Sequence, residues 1–253
     1  MNPIVVGTVV FACTLGGVLA GMWLSTILPE HHLNRNSEET VKLGIGLIAT
    51  MTALVLGLVT ASAKSSFDAV DTGVKHTASD VLTLDRVLAR YGPETGEIRA
   101  ELRKAIAHRI DLIWPPDSSR SAQRDPSTTE AGVEIIADRV RALTPRDDIQ
   151  KSLQSRAVEV SEALLQARWF VFVGSGTSVP LPFLVVLLFW LTITFASFGL
   201  FAPHNATVRV VLFVCALSVG SAVFLILEMD GPFDGVLRVS AEPLRNAVAH
   251  LNQ

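Results

Sequence analysis

Four long stretches of apolar residues dominate the pattern of this chain. They run from Ile4 to Leu28, from Val41 to Ala63, from Val179 to Ala202 and from Ala206 to Leu227, with almost no charged residues inside them. About 20 apolar residues suffice for a helix to cross the hydrocarbon layer of a membrane. The apolar residues are continuous instead of alternating, which excludes the strands of a transmembrane barrel. The sequence therefore predicts four transmembrane helices, named here spans one to four.

The segment between spans two and three has the periodicity of amphipathic helices. Span two continues without a turn signal into a coiled-coil-like seam that ends at Gly92-Pro93, so we expect one long helix. The seam consists of Val70, Val74, Thr77, Val81, Leu84, Leu88 and Tyr91. Three further helices are indicated by Ile98, Leu102, Ile106 and Ile113, by Val133, Ile136, Val140 and Leu143, and by Ile149, Leu153, Val160, Leu164 and Ala167. The polar run from Asp117 to Thr129 reads as a loop, and the four helices predict a bundle.

The expected architecture is an all-α integral membrane protein with a helical bundle inserted between its second and third spans. Residues 1–63 form spans one and two, 64–178 the bundle, 179–228 spans three and four, and 229–253 a tail. Composition agrees, since 49% of the residues are hydrophobic and 18% are charged, against about 25% charged in soluble domains. The bundle carries 16 of the 21 Lys and Arg residues, so the positive-inside rule predicts that it and both termini are cytoplasmic.

Several functional classes are disfavoured by composition and spacing. A net charge of −3 and a pI of about 6.1 give no basic field for nucleic acid. The histidines stand in no metal-ligand spacing, and no nucleophile elbow is present, so we expect neither an enzyme nor a resident organic cofactor. The spans also lack the interior charges typical of coupled transporters. The lipid bilayer is the first partner that the sequence implies.

Span two carries two distinct faces. Small and hydroxyl residues recur at steps of four and three along one of them, which we call the small-residue face: Gly46, Thr50, Ala53, Gly57, Thr60 and then Lys64. Large apolar residues form another, the leucine face: Leu43, Leu47, Met51, Leu54 and Leu58. The small-residue face is typical of close helix packing. The alternative is a pore lined by this face of several copies of the chain, with Lys64 as a positive ring at the inner mouth.

Three carboxylates cluster where span four ends. Glu228, Asp230 and Asp234 lie within seven residues, and carboxylate oxygens are the ligands that Ca²⁺ prefers. The spacing is not that of an EF-hand. Pairing with Arg168 or Lys64, or capping of a helix in the tail, would account for the same residues without a metal.

Four blocks of sequence resemble the bacterial bestrophin-like membrane family. They are LGIGLIATMTALVLGLVTASAKSSFD from Leu43, LDRVLARYGP from Leu84, SFGLFAPHNA from Ser197 and LILEMDGPFDGVLRVS from Leu225. The family is remotely related to bestrophins, which are pentameric calcium-gated anion channels. The resemblance implies that span two lines a pore and that Glu228, Asp230 and Asp234 lie near a calcium clasp. Span two lacks the phenylalanine-rich neck of bestrophins, and the acidic run is sparser than their clasp.

The leading hypothesis is a homo-oligomeric channel, pentameric by this resemblance, that conducts anions such as chloride in a bacterial inner membrane. The rival hypothesis is a membrane scaffold or signalling protein, in which span two only packs and the bundle binds a partner. A transporter is the third alternative.

Overall fold

The computed structural model describes residues 2–29, 35–115, 126–173, 181–203, 205–233 and 235–251. In these residues there are eight α-helices, a short 3-10 turn at Pro93–Thr95 and no strand. The helices are α1 Pro3–Ile27, α2 Arg35–Tyr91, α3 Gly96–Ile113, α4 Pro126–Arg141, α5 Asp148–Val173, α6 Leu181–Leu200, α7 Ala206–Asp230 and α8 Glu242–His250. The predicted all-α class is confirmed. Four of the helices, α1, α2, α6 and α7, are long and apolar enough to cross a membrane.

The chain divides into two compact units. The membrane unit comprises residues 1–67 and 177–237, and the bundle unit comprises residues 68–176 and 238–253. Helix α2 is a single element of 57 residues that belongs to both. Span two and the seam are therefore one continuous helix, as the absence of a turn signal predicts.

Close backbone contacts between α1 and its neighbours hold the membrane unit together. A Cβ at Gly21 would lie 2.0 Å from the carbonyl oxygen of Ala196 in α6, and one at Gly7 would lie 2.9 Å from Cβ of Phe224 in α7. These glycines thus let α1 approach α6 and α7 more closely than any larger residue allows. A buried apolar cluster that includes Val18, Phe195 and Val223 surrounds the contacts.

The bundle unit buries the predicted seam. All seven seam positions are at most 8% exposed, and Val81, Leu84 and Leu88 are completely inaccessible.

Two details of the sequence prediction are wrong. Ile149 is 71% exposed, because α5 buries its face further along, at Ala157, Val160 and Leu164. The predicted loop also runs too far, since α4 already begins at Pro126; proline suits the first turn of a helix, where its missing N–H leaves no hydrogen bond unmade.

A buried ion pair joins α2 to α3 in the bundle unit. Nε and Nη2 of Arg99 donate to the two carboxylate oxygens of Asp85 at 2.7 and 2.9 Å. The hydrogen bond to Asp85 raises the pKa of Arg99 above its ordinary value, while burial opposes the rise. Arg99 is consequently charged at every pH at which the protein folds. The bidentate geometry fixes the register of the two helices.

The segment after α7 is fastened to the bundle unit through α3. Nε1 of Trp114, at the end of α3, donates to the carbonyl oxygen of Val239 at 2.8 Å. The last helix, α8, then packs against α3 and buries Leu244 and Ala247. Residues 238–251 are thus part of the folded bundle unit.

Candidate functional site

The small-residue face of α2 is open over its whole length. Each of its six residues, from Gly46 to Lys64, is exposed in the protomer. Within the most apolar 18-residue window, 6% of residues are buried in α2, against 33% in α1 and α6 and 28% in α7. Helix α2 is therefore the membrane-spanning helix that the protomer covers least.

The glycines of α2 differ from those of the other spans. A Cβ added at Gly46 or Gly57 would meet nothing within 4 Å, whereas one at Gly17 or Gly199 would collide with backbone atoms of the neighbouring helix. Helix packing explains glycines such as Gly17 of α1 and Gly199 of α6. Within the described chain it does not explain those of α2, so the small-residue face is available to another copy of the chain or to water.

The opposite side of α2 packs against the membrane unit, and it does so mainly towards the end that continues into the bundle unit. Ala63 is completely buried against Ile226 of α7. Val59 of α2 and Leu184 of α6 pack against the same pair. Thr52 is also buried. Successive residues of a helix are rotated by about 100°, so the packed side, the small-residue face and the leucine face occupy separate sectors of α2.

The leucine face is as exposed as the small-residue face. Its exposed fractions run from 48% at Met51 to 79% at Leu43. An apolar surface of this extent on one helix requires a covering, which lipid or a neighbouring subunit supplies. The two exposed faces of α2 therefore have different surroundings.

The threonine hydroxyls of the small-residue face donate to their own helix. Oγ1 of Thr50 lies 3.0 Å from the carbonyl oxygen of Gly46 and 2.8 Å from that of Leu47, and Oγ1 of Thr60 lies 2.7 Å from that of Leu56. Their protons are used within α2. The lone pairs of each hydroxyl oxygen therefore face outwards, where they attract cations and hydrogen-bond donors.

The carboxylate of Glu228 holds the loop after α7. Oε2 accepts hydrogen bonds from the backbone N–H of Val236 at 2.6 Å and of Leu237 at 3.2 Å, and Glu228 is only 3% exposed. Gly235 has a φ of +88°, and a Cβ there would overlap the carboxylate. The loop thus wraps the side chain through a glycine in the left-handed region.

The predicted calcium ligands are consequently in different situations. Glu228 is engaged by backbone donors, Asp230 is half-buried at the end of α7, and Asp234 lies outside the described residues, as does the side chain of Arg168. Across the part of the chain that the structure describes, no three His, Cys, Asp or Glu side chains form a group able to hold a metal.

The bestrophin-like domain family matches residues 12–244 of the chain. The chain belongs to the bestrophin-like family. The resemblance found in the sequence blocks is confirmed, and this bestrophin-like protein is a membrane protein both by its family and by its four apolar helices.

Solved structures share the fold of this bestrophin-like protein at low sequence identity. A variant of a bacterial bestrophin homolog from Klebsiella pneumoniae superposes with a TM-score of 0.64 at 14% identity, covering 93% of this chain and 96% of its own. A variant of a protein described as a membrane protein gives 0.64 at 15% identity, covering 93% and 95%. No curated protein matches the sequence significantly.

Sequence reasoning missed the role of Glu228 as the anchor of a loop. The signal was present in part, because Gly231 and Gly235 bracket the residues after α7 and indicate a tight turn. Which backbone groups the carboxylate would meet depends on the path of the loop, and no periodicity encodes that path.

Proposed function

We propose that this protein forms an ion channel from several copies of the chain, with the small-residue face of α2 lining the pore. The supporting observation is that this face is exposed along its whole length and that a Cβ added at Gly46 or Gly57 would meet nothing within 4 Å. Membership of the bestrophin-like family and the fold shared with a bacterial bestrophin homolog favour the same function.

Assembly is a requirement of this proposal. One helical face cannot enclose a conduction path, whereas identical faces arranged around a symmetry axis can. Small side chains leave the axis open, while the leucine face lies to one side, against lipid or the next subunit. We propose a homo-oligomer, pentameric by analogy with bestrophins.

We propose that the channel conducts anions such as chloride. Lys64 is exposed at the inner end of the small-residue face, and a ring of lysines there attracts anions and repels cations. The outward lone pairs of Thr50 and Thr60 favour cations instead. A full charge outweighs the dipole of a hydroxyl at similar distances, so we expect the Lys64 ring to decide the selectivity.

The membrane is proposed to be the bacterial inner membrane, with the bundle unit and both termini in the cytoplasm. The excess of Lys and Arg between spans two and three supports this orientation. Because α2 is one helix from the membrane unit into the bundle unit, a change in the bundle could move the pore-lining face directly. Calcium at Glu228, Asp230 and Asp234 is one proposed gating signal, and a Ca²⁺ titration of the flux tests it.

Chloride flux into liposomes that contain the purified protein tests the pore. Thr50→Trp and Gly57→Trp should abolish the flux, because an indole fills the path that small residues leave open. Met51→Trp is the matched control, because Met51 precedes Thr50 but lies on the leucine face about 100° away. It should conduct like the wild type.

Reversal potentials in a KCl gradient test the selectivity of the same liposomes. Anion permeation should set the wild-type potential near that of chloride, and Lys64→Glu should shift it towards that of potassium. A wild-type potential near that of potassium would overturn anion selectivity but not the pore. Absence of flux with and without Ca²⁺ would contradict the channel and favour the scaffold whose bundle binds a partner.

A further inference from the structure

A cavity of about 430 Å³ separates the outer half of the apolar part of α2 from α6 and α7. Its walls include Lys42, Ile45 and Ala49 of α2, Phe198 of α6, Phe201 just after α6, and Leu212 of α7. All of these residues belong to the membrane unit. The cavity lies where α2 is not packed against these two helices.

The gap is local to this half of α2. Towards the inner end, the buried Ala63 packs directly against Ile226 of α7. The outer half instead presents Gly46 and Ala49 towards α6 and α7, and Ala202 follows α6 at the same level. These small side chains leave a space that the protomer does not fill.

The cavity has a polarity gradient along the helix axis. Lys42 stands at one end, with Nζ 5.8 Å from the centre of the Phe201 ring. Ala49 lies seven residues further into the apolar stretch, about 10 Å deeper along α2. Apart from Lys42 and Ser197, the walls are formed by apolar residues and glycine. A charged end at the membrane surface and an apolar depth match the two parts of a lipid.

The charged side chains that the structure describes around the outer end are Lys42, Arg209 and Glu39. Glu39 precedes Lys42 by one helical turn, and Arg209 follows Val208, a wall residue in α7. Within this described set, two cations stand against one carboxylate, which favours an anion. Basic residues at a membrane surface attract anionic lipid by about 1 kcal/mol each.

We propose that an acyl chain of an anionic phospholipid occupies this cavity, with its phosphate at Lys42. Apolar cavities favour apolar ligands over water. A volume of about 430 Å³ is nearly three times the roughly 150 Å³ of an engineered cavity that binds benzene, which leaves room for part of one chain. Gly46 belongs both to the cavity wall and to the small-residue face, so the lipid lies directly beside that face.

The test uses the full-length protein in nanodiscs of equimolar phosphatidylglycerol and phosphatidylcholine with identical acyl chains. After transfer to mild detergent, native mass spectrometry counts the lipids retained by each protomer. The wild type should retain phosphatidylglycerol preferentially. Lys42→Gln should lower that preference about fivefold, because one basic contact of about 1 kcal/mol is lost.

Ala49→Phe should remove the retained lipid by filling the cavity. Ala20→Phe is the matched control, because Ala20 is an exposed position of α1 outside the cavity, and it should retain lipid like the wild type. The proposal is overturned if Ala49→Phe retains phosphatidylglycerol unchanged, or if the wild type shows no preference between the two headgroups.

A second copy of the chain could fill the cavity instead. In that case the wild type would retain no lipid and Ala49→Phe would dissociate the oligomer, which would also overturn the proposal. The lipid count does not depend on conduction, so it can fail while the pore proposal stands, and the reverse also holds.

Discussion

At the scale of single residues, the conformation of the loop after α7 depends on Glu228 and Gly235 together. Glu228 is buried, and its carboxylate accepts hydrogen bonds from the backbone N–H groups of Val236 and Leu237. The loop can bring those groups to the carboxylate because Gly235 adopts a positive φ and has no Cβ. A buried carboxylate without its donors would be costly.

Gly235→Ala should destabilise the protein. Alanine at a left-handed position costs about 1–2 kcal/mol, and its Cβ would also displace the Glu228 carboxylate. Thermal unfolding in detergent should show a lower Tm, together with faster proteolysis of the loop. Gly231→Ala is the control, because a Cβ added at Gly231 would meet nothing within 4 Å and its φ is not positive. Equal Tm values for the two variants would contradict the anchoring role of Glu228.

At the scale of helices, the sequence predicts well the features that extend over many residues. The apolar spans follow from the length of their uncharged runs, and the seam from Val70 to Tyr91 follows from its periodicity. Burial agrees at every seam position. Features that depend on a single contact are not encoded in this way. The exposure of Ile149 and the hydrogen bond from the loop to Glu228 are two such features.

The same limit applies to the candidate site. The small-residue face could be read from the spacing of Gly46, Thr50 and Gly57. Spacing could not tell which glycine-containing helices pack within the protomer, because α1 and α2 look alike in sequence. Only the contacts of Gly21 and the empty surroundings of Gly57 separate the two cases.

The packing of α1 against α6 should be sensitive to a single methyl group. Gly21→Ala places a Cβ against the carbonyl oxygen of Ala196, and forcing the helices apart should cost about 1–3 kcal/mol. Gly16→Ala, five residues earlier in α1, meets nothing within 4 Å and should leave stability unchanged or slightly raised. Thermal unfolding in detergent distinguishes them. Similar losses in both variants would mean that the α1–α6 contact is not close.

At the scale of the whole molecule, α2 is exposed on two faces at once. A 27.2 kDa protomer should therefore purify in mild detergent as an assembly of several copies, five by the bestrophin analogy. Light scattering that corrects for bound detergent measures this mass. Leu54→Glu, on the leucine face, should reduce the mass if a neighbouring subunit covers that face. A wild-type monomer would contradict the channel, because one copy has no closed conduction path.

The continuity of α2 places a constraint on insertions and deletions. Each residue added between Lys64 and Val70 would rotate the seam by about 100° relative to the small-residue face. One extra residue would therefore turn either the seam out of its core or the small-residue face away from its partners. Seven extra residues would restore the angle between the seam and the small-residue face to within about 20°. Homologues should thus vary in length within their loops. Between Lys64 and Val70 they should have either the same number of residues or a number that differs by seven.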